Sequence, residues 1–149
     1  MNKLLLVDFS NILCKAMATT PSLKYKGMNT GGLFGFVQQL CYYINEHKPT
    51  DIVFCLDVPP YIRKKRLPEY KQNRTSSGNE DWYNIFIENK QYCIKFMELL
   101  GAHVAGLEGY EADDWIATLC DEYSHKYDET VVASNDDDLF QVLMYSNVI

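Results

Sequence analysis

The chain has 149 residues, of which 47% are hydrophobic and 13% aromatic, and a net charge of −6. That suffices for one packed core in one domain and excludes a disordered chain. The opening "MNKLLLVDFSN" holds an apolar run of only four residues before Asp8; this is too short for a signal-peptide core or a bilayer span, and no later segment is long and uncharged enough either.

In chain order, "KLLLVD" (3–8) reads as a fully buried parallel strand that ends in a charge. "TGGLFGFVQQLCYYINEH" (30–47) sets Leu33, Phe36, Val37, Leu40 and Ile44 at helical spacing, with Thr30 available as N-cap. "DIVFCLD" (51–57) repeats the first pattern, an apolar strand closed by an aspartate. Residues 59–81 lack periodicity, and their prolines and "SSGN" mark an exposed excursion. "DWYNIFIENKQYCIKFMELLG" (81–101) is expected as a helix with Ile85, Tyr92, Phe96 and Leu99 inward, stopped by Gly101. "AHVAG" (102–106) is a short strand, and a helix from about 110 to 125 follows, with Ala112, Ile116 and Leu119 as its buried stripe. "TVVAS" (130–134) is the last full strand, leading into "NDDDLFQVL" with Leu139, Val142 and Leu143 on a helix face. The terminal "MYSNVI" reads as the beginning of another strand. The alternation implies an α/β fold: a mainly parallel sheet with helices on both faces.

Two features of composition are local. Cys14, Cys41, Cys55, Cys93 and Cys120 form no C-x-x-C pair and read as buried free thiols of a reducing compartment, while His47, His103 and His125 are isolated. A negative total argues against a nucleic-acid partner, yet "RKKRLPEYKQNR" (63–74) concentrates six of the fourteen basic residues around the single acid Glu69. A solvated loop is the plain reading of that strip. The functional one is phosphate binding by Arg63, Lys64, Lys65, Arg66, Lys71 and Arg74, with Tyr70 stacking an unpaired base.

The acids are gathered too. In "GYEADDWIATL" (109–119), Glu111, Asp113 and Asp114 precede an apolar stripe. Acids in a first helical turn complement the helix dipole, but Glu111 and Asp114, three apart, share a face and repel. In parallel sheets the functional crevice lies beyond the carboxyl ends of the strands, where Asp8, Asp57 and Asp136 also fall. Seven carboxylates on one rim (Asp8, Asp57, Glu111, Asp113, Asp114, Asp136 and Asp138) would repel one another without cations between them, which makes them candidate metal ligands. An all-oxygen set without cysteine or histidine favours magnesium or manganese, and ligands spread along the chain argue against a calcium loop. Such a cluster suits two ions about 3.5–4 Å apart acting on a phosphodiester. An aspartyl phosphotransferase would want a second aspartate two residues after the first, where this chain has Ser10.

Taken together, "LLLVDFSNILCKAM", "GMNTGGLFGF", "FCLDVPPYIRKKRLPEYKQNR", "GYEADDWIATL" and "ASNDDDLFQVL" resemble the flap endonuclease or 5′-nuclease family, meaning the N-terminal nuclease domain of bacterial DNA polymerase I and the phage 5′–3′ exonucleases. "YKQNR" and "GYEADD" are the most specific parts. The resemblance implies a PIN-like fold and a two-metal 5′–3′ exonuclease or flap endonuclease. It implies Asp8, Asp57, Glu111, Asp113 and Asp114 at a first Mg2+ or Mn2+, and Asp136 and Asp138 at a second. The basic segment becomes an arch over the site, with Lys71 and Arg74 at the scissile phosphate. Lys15 stands where the family usually has arginine, keeping the charge and losing the bidentate fork. The implied partner is DNA with a 5′ single-stranded end or flap, met in replication or repair in the cytoplasm of a bacterial or phage-infected cell, with no membrane involved.

On that resemblance residues 1–149 form the N-terminal catalytic domain, with the arch at 59–81. The family's C-terminal helix-hairpin DNA-binding module and further aspartates are not in the sequence. A fragment, a split protein completed by a separate C-terminal chain, and a domain without independent activity are the three expectations. Two competing functions are a PIN-type nuclease for single-stranded RNA and a catalytically weak DNA-end-binding subunit.

Overall fold

The computed structural model describes residues 1–70 and 80–149. The elements are β1 (Lys3–Asp8), α1 (Phe9–Thr19), β2 (Lys24–Tyr25), β3 (Met28–Asn29), α2 (Gly31–His47), β4 (Asp51–Cys55), α3 (Ile62–Arg66), α4 (Glu80–Leu100), β5 (His103–Ala105), α5 (Ala112–Tyr123) and β6 (Glu129–Ala133), with 3-10 helices at Ser124–Lys126 and Asp137–Met144. Four strands form a sheet in the order β5-β4-β1-β6, and every pairing is parallel. β2 and β3 make a separate antiparallel hairpin.

β1 is central, which explains its unbroken "LLLV": a strand covered on both faces needs apolar side chains in both directions. Leu5 and Val7 face α1, α2 and α4, within a core of Phe9, Ile12, Phe36, Phe54, Cys93 and Met97. Leu4 and Leu6 face the other way, onto Ala112, Ile116 and Cys120 of α5 and Leu139 and Val142 of the last 3-10 helix. The rings of Phe9, Phe36 and Phe54 lie in series, with centroids 5.4 and 5.9 Å apart, a spacing at which aromatic pairs add to the energy of burial.

Several expectations are corrected. α1 falls on residues left unassigned from the sequence, although Phe9, Ile12, Leu13, Ala16 and Met17 are buried at helical spacing. α4 turns a stripe inward that the expectation met only in part: Ile85 and Phe96 pack against the core, but its fully buried line is Asn89, Cys93 and Met97, and Leu99 is 79% exposed. The polar Asn89 concealed that stripe. Its Oδ1 accepts from Leu33 N (2.9 Å) and its Nδ2 donates to Asn29 O (3.1 Å) and Ile85 O (2.9 Å). Thr30 occupies the N-cap position of α2 without a side-chain cap bond; Asn29 Oδ1 accepts from Gly31 N instead, so neighbours satisfy the orphan donors of that first turn. After β6 the helix is 3-10 throughout, about three residues per turn, so Leu139 and Val142 are buried while Leu143 is exposed. Cys41 is exposed rather than buried. At the chain's end, Thr130 N donates to Asn147 O (2.8 Å) and Ile149 N to Thr130 O (2.9 Å), a single parallel bridge that extends the sheet beyond β6 without a full strand.

Candidate active site

Three strands deliver their ends to one edge. β1 ends at Asp8, which is also the N-cap of α1: its Oδ1 accepts from Asn11 N (3.1 Å) and its Oδ2 from Ser134 Oγ (2.8 Å). Just past β4, Asp57 Oδ1 accepts from Ala112 N (3.0 Å), capping the first turn of α5 from another segment. Past β6, Asp136 N donates to Ser134 Oγ (3.1 Å), and Asp136 Oδ1 accepts from Asp138 N (3.1 Å). A cavity of about 480 Å³ opens among them, lined by Asp8, Asp57, Asp113 and Asp136 with Ser10, Asn11, Cys14, Tyr61, Lys64 and Tyr70.

The electrostatics register the crowding. Burial raises the Asp8 pKa above the ordinary aspartate value; hydrogen bonds from Ser134 and Asn11 oppose this, and the charges of Asp57 and Asp136 add to it. Burial likewise raises Cys14, reinforced by Asp8 and Asp57.

"GYEADD" divides into two sets. Asp113 lines the cavity. Glu111, 1% exposed, accepts from Arg63 Nη1 (2.8 Å) and from Tyr70 OH (2.8 Å). Asp114 takes the other terminal nitrogen, Nη2, of the same guanidinium, and its Oδ2 accepts from Glu111 N (3.0 Å). The like-charge pair anticipated on one helix face is thus bridged by a cation from α3. Gly109 makes the approach possible. At φ +99° it adopts a conformation that suits glycine, and a Cβ there would lie 2.7 Å from Ile62 Cγ1. Ile62 N donates to Gly109 O (2.9 Å), docking α3 on the loop that carries the acids.

The remaining candidates are placed unevenly. Asp138 is exposed and does not line the cavity. Lys64 lines it, and Lys65 and Arg66 are exposed to solvent. Lys15 Nζ reaches Asn135 Oδ1 (3.2 Å), beside the rim. Lys71 and Arg74 lie outside the described residues. Sequence reasoning missed Asn11, Tyr61 and Ser134; the first follows Asp8 at N-cap spacing, and the last directly follows a strand end, positions that could have flagged both. Among the described residues, no three His, Cys, Asp or Glu side chains stand close enough to surround one ion. As they stand, Asp8, Asp57 and Asp136 are each turned onto protein donors. The donor set itself, carboxylate oxygens from separate segments on one cavity, suits a hard divalent cation.

The family described as 5′-3′ exonuclease, N-terminal resolvase-like domain, matches residues 3–149. A 5′-3′ exonuclease of Bacillus subtilis is 34% identical over 148 residues, covering 95% of this chain and 48% of that protein. DNA polymerase I of Mycobacterium tuberculosis is 31% identical over 144 residues, 94% of this chain and 15% of the polymerase. In fold, the chain is similar to the bacteriophage T5 flap endonuclease solved as a pseudo-enzyme-product complex with DNA and metal ions: TM-score 0.79 at 20% identity, over 99% of this chain and 53% of that one. The chain therefore spans about half the length of the two nucleases and a smaller part of the polymerase.

Proposed function

The chain belongs to the family of 5′-3′ exonuclease N-terminal, resolvase-like domains, and from that premise we propose that it is the catalytic domain of a divalent-metal-dependent nuclease hydrolysing DNA phosphodiester bonds at a 5′ single-stranded end or flap. One observation carries the reading. Asp8, Asp57, Asp113 and Asp136, from four separate segments, meet on one cavity beside Lys64, Tyr61 and Tyr70. Nothing in ordinary core packing requires that convergence, and like charges in proximity disfavour it.

Asp8, Asp57 and Asp113 are the residues proposed to hold a first Mg2+ or Mn2+, with Asp136 and Asp138 toward a second. Such ions supply Lewis acidity at the phosphodiester and a water nucleophile at neutral pH, so no side-chain nucleophile is needed. Lys64 would draw a phosphate into the cavity, and Tyr61 and Tyr70 offer ring faces to an unpaired base. Lys15, Lys71 and Arg74 are assigned further phosphate contacts on the strength of the family motif. The T5 enzyme's complex with DNA and metal ions supports both partners. The relatives' greater length supports a further segment or chain as the source of duplex grip and additional ligands. Among the described residues no helix is long and apolar enough to cross a membrane, and a cytoplasmic setting fits a DNA substrate.

The test is cleavage of a 5′-flap DNA oligonucleotide with and without magnesium or manganese, with single-stranded RNA in parallel. Ion-dependent cutting of the flap, lost in Asp113→Asn, is expected. Preferential cutting of the RNA would move the protein to the PIN-type reading. DNA binding with no cutting, under any ion and with the longer relatives' C-terminal half supplied, would make it an end-binding subunit.

A further inference from the structure

We propose that Arg63 is a positioning residue of the ion site: it clamps Glu111 and Asp114 away from the cavity, so that Asp113 between them is the carboxylate α5 presents to the cation. The inference rests on the nuclease reading and divides into separate roles the acids and bases that the sequence grouped together.

Three observations converge. The first is the fork: the two terminal nitrogens of one guanidinium engage Glu111 and Asp114 separately. A guanidinium holds its two donors at a fixed spread, whereas a lysine ammonium offers all of its donors from a single point. The second is burial. Glu111 is 1% exposed and forms no part of the cavity wall, while Arg63 keeps 42% of its side chain accessible. A carboxylate so enclosed is tolerated only with a partner charge and hydrogen bonds, and Tyr70 OH supplies one of those bonds. The third is the fastening of α3 through Ile62 N to Gly109 O and of Gly109 N to Val58 O (2.8 Å). Arg63 is thereby held over the loop that starts α5.

Asp113 and Asp114 are consecutive on a helix and differ in direction by about 100°. Asp114 is drawn to Arg63, and Asp113 lines the cavity with Asp8, Asp57 and Asp136. Rotation of the first turn of α5 would move Asp113 off that wall, and the clamp opposes the rotation. Arg63 is thus removed from the phosphate-binding strip and assigned to orienting ligands. Partners bonded directly to a metal ligand typically change metal affinity by about 10–100-fold when altered, and Arg63, acting on the helix neighbours of Asp113, belongs at the lower end of that range.

The experiment is calorimetric titration with manganese of wild type, Arg63→Lys, Arg63→Ala and Asp113→Asn, together with melting curves in chelator and the salt dependence of flap-oligonucleotide binding without divalent ion. Arg63→Lys, which keeps the charge and loses the fork, is expected to bind manganese at least about tenfold more weakly. Asp113→Asn should lose affinity comparably without a lower melting temperature. Arg63→Ala should leave the salt slope of DNA binding at the wild-type value. Wild-type manganese affinity in Arg63→Lys, even with a lowered melting temperature, reduces the clamp to a structural contact and overturns the proposal. A salt slope reduced by about one in Arg63→Ala makes the residue a phosphate ligand and overturns it as well. Should Arg63→Ala not fold, the lysine variant alone decides. No manganese binding by wild type is a distinct result: it sinks the nuclease reading, and the clamp with it.

Discussion

Asp8 shows how a single side chain carries opposing demands. Its oxygens cap α1 and receive Ser134, which favours the carboxylate, while burial and the nearby Asp57 and Asp136 raise its pKa. Because the folded-state pKa is raised, the folded protein holds this proton more tightly than the unfolded chain. The associated stability is present at acid pH and lost as pH rises through the raised value. At neutral pH, without ions, the ionised Asp8 is therefore a net burden. Asp8→Asn should melt higher than wild type at pH 7 in chelator, and the difference should vanish near pH 3, below the ordinary aspartate value. An equal gap at both pH values, read by circular dichroism, would show that the charge is not the cause. The cysteines make a second case. Burial raises Cys93 to about 12 and Cys120 to about 11, and Cys55 further still. A maleimide should label Cys41 first in the native protein, Cys14 slowly, and these three only on unfolding. Labelling of any of the three at the rate of Cys41 would contradict their burial in the core.

At the scale of elements, the contact of α1 with α2 is made by glycine. A Cβ at Gly31 would lie 1.8 Å from Thr20 O, and one at Gly35 would lie 3.0 Å from Ala16 Cβ. Thr20 Oγ1 meanwhile donates to Gly31 O at 2.6 Å. The clash at Gly31 is with backbone, which cannot rotate away, so Gly31→Ala should cost about 3 kcal/mol, the upper part of the usual overpacking range. Urea unfolding with an unchanged m-value would report it; a loss below about 1 kcal/mol would mean that the helices separate easily. This packing was legible only in part. "TGGLFGF" announced a helix, but nothing local revealed that its glycines meet α1 or that Asn89 of α4 completes its first turn. The face of α4 is legible only in part for a related reason: periodicity counts apolar residues and passes over a buried asparagine that bonds to Leu33 N and Asn29 O of another segment.

At the scale of the whole molecule, the two ions of the proposed site are not expected to be equivalent. Asp8, Asp57 and Asp113 approach the cavity from three segments, whereas Asp136 and Asp138 share one turn and Asp138 does not line the cavity. Magnesium-like ions need about six oxygens in near-ideal geometry, and two carboxylates on a turn supply few of them. Manganese calorimetry of this chain should therefore show one stronger site and one much weaker, with cleavage slow and dependent on high ion concentration. Two tight sites with full activity would contradict this.

What the sequence by itself determined is the part written in short-range pattern. The apolar runs ending in aspartate specify the buried parallel strands, since a strand covered on both faces tolerates no alternation, and the rule for parallel sheets then places Asp8, Asp57 and Asp136 at one edge. The motifs specify the family, because their order and spacing span nearly the whole chain. The tertiary structure alone decided which acids face the cavity and which face the protein. Glu111, Asp113 and Asp114 read alike in the sequence as acids of one short motif. They become different when α3, brought onto Gly109 by contacts some fifty residues apart in sequence, sets one guanidinium between two of them. Side-chain direction depends on a partner whose position the local sequence does not encode, and charge pairing across the fold is a property of distance.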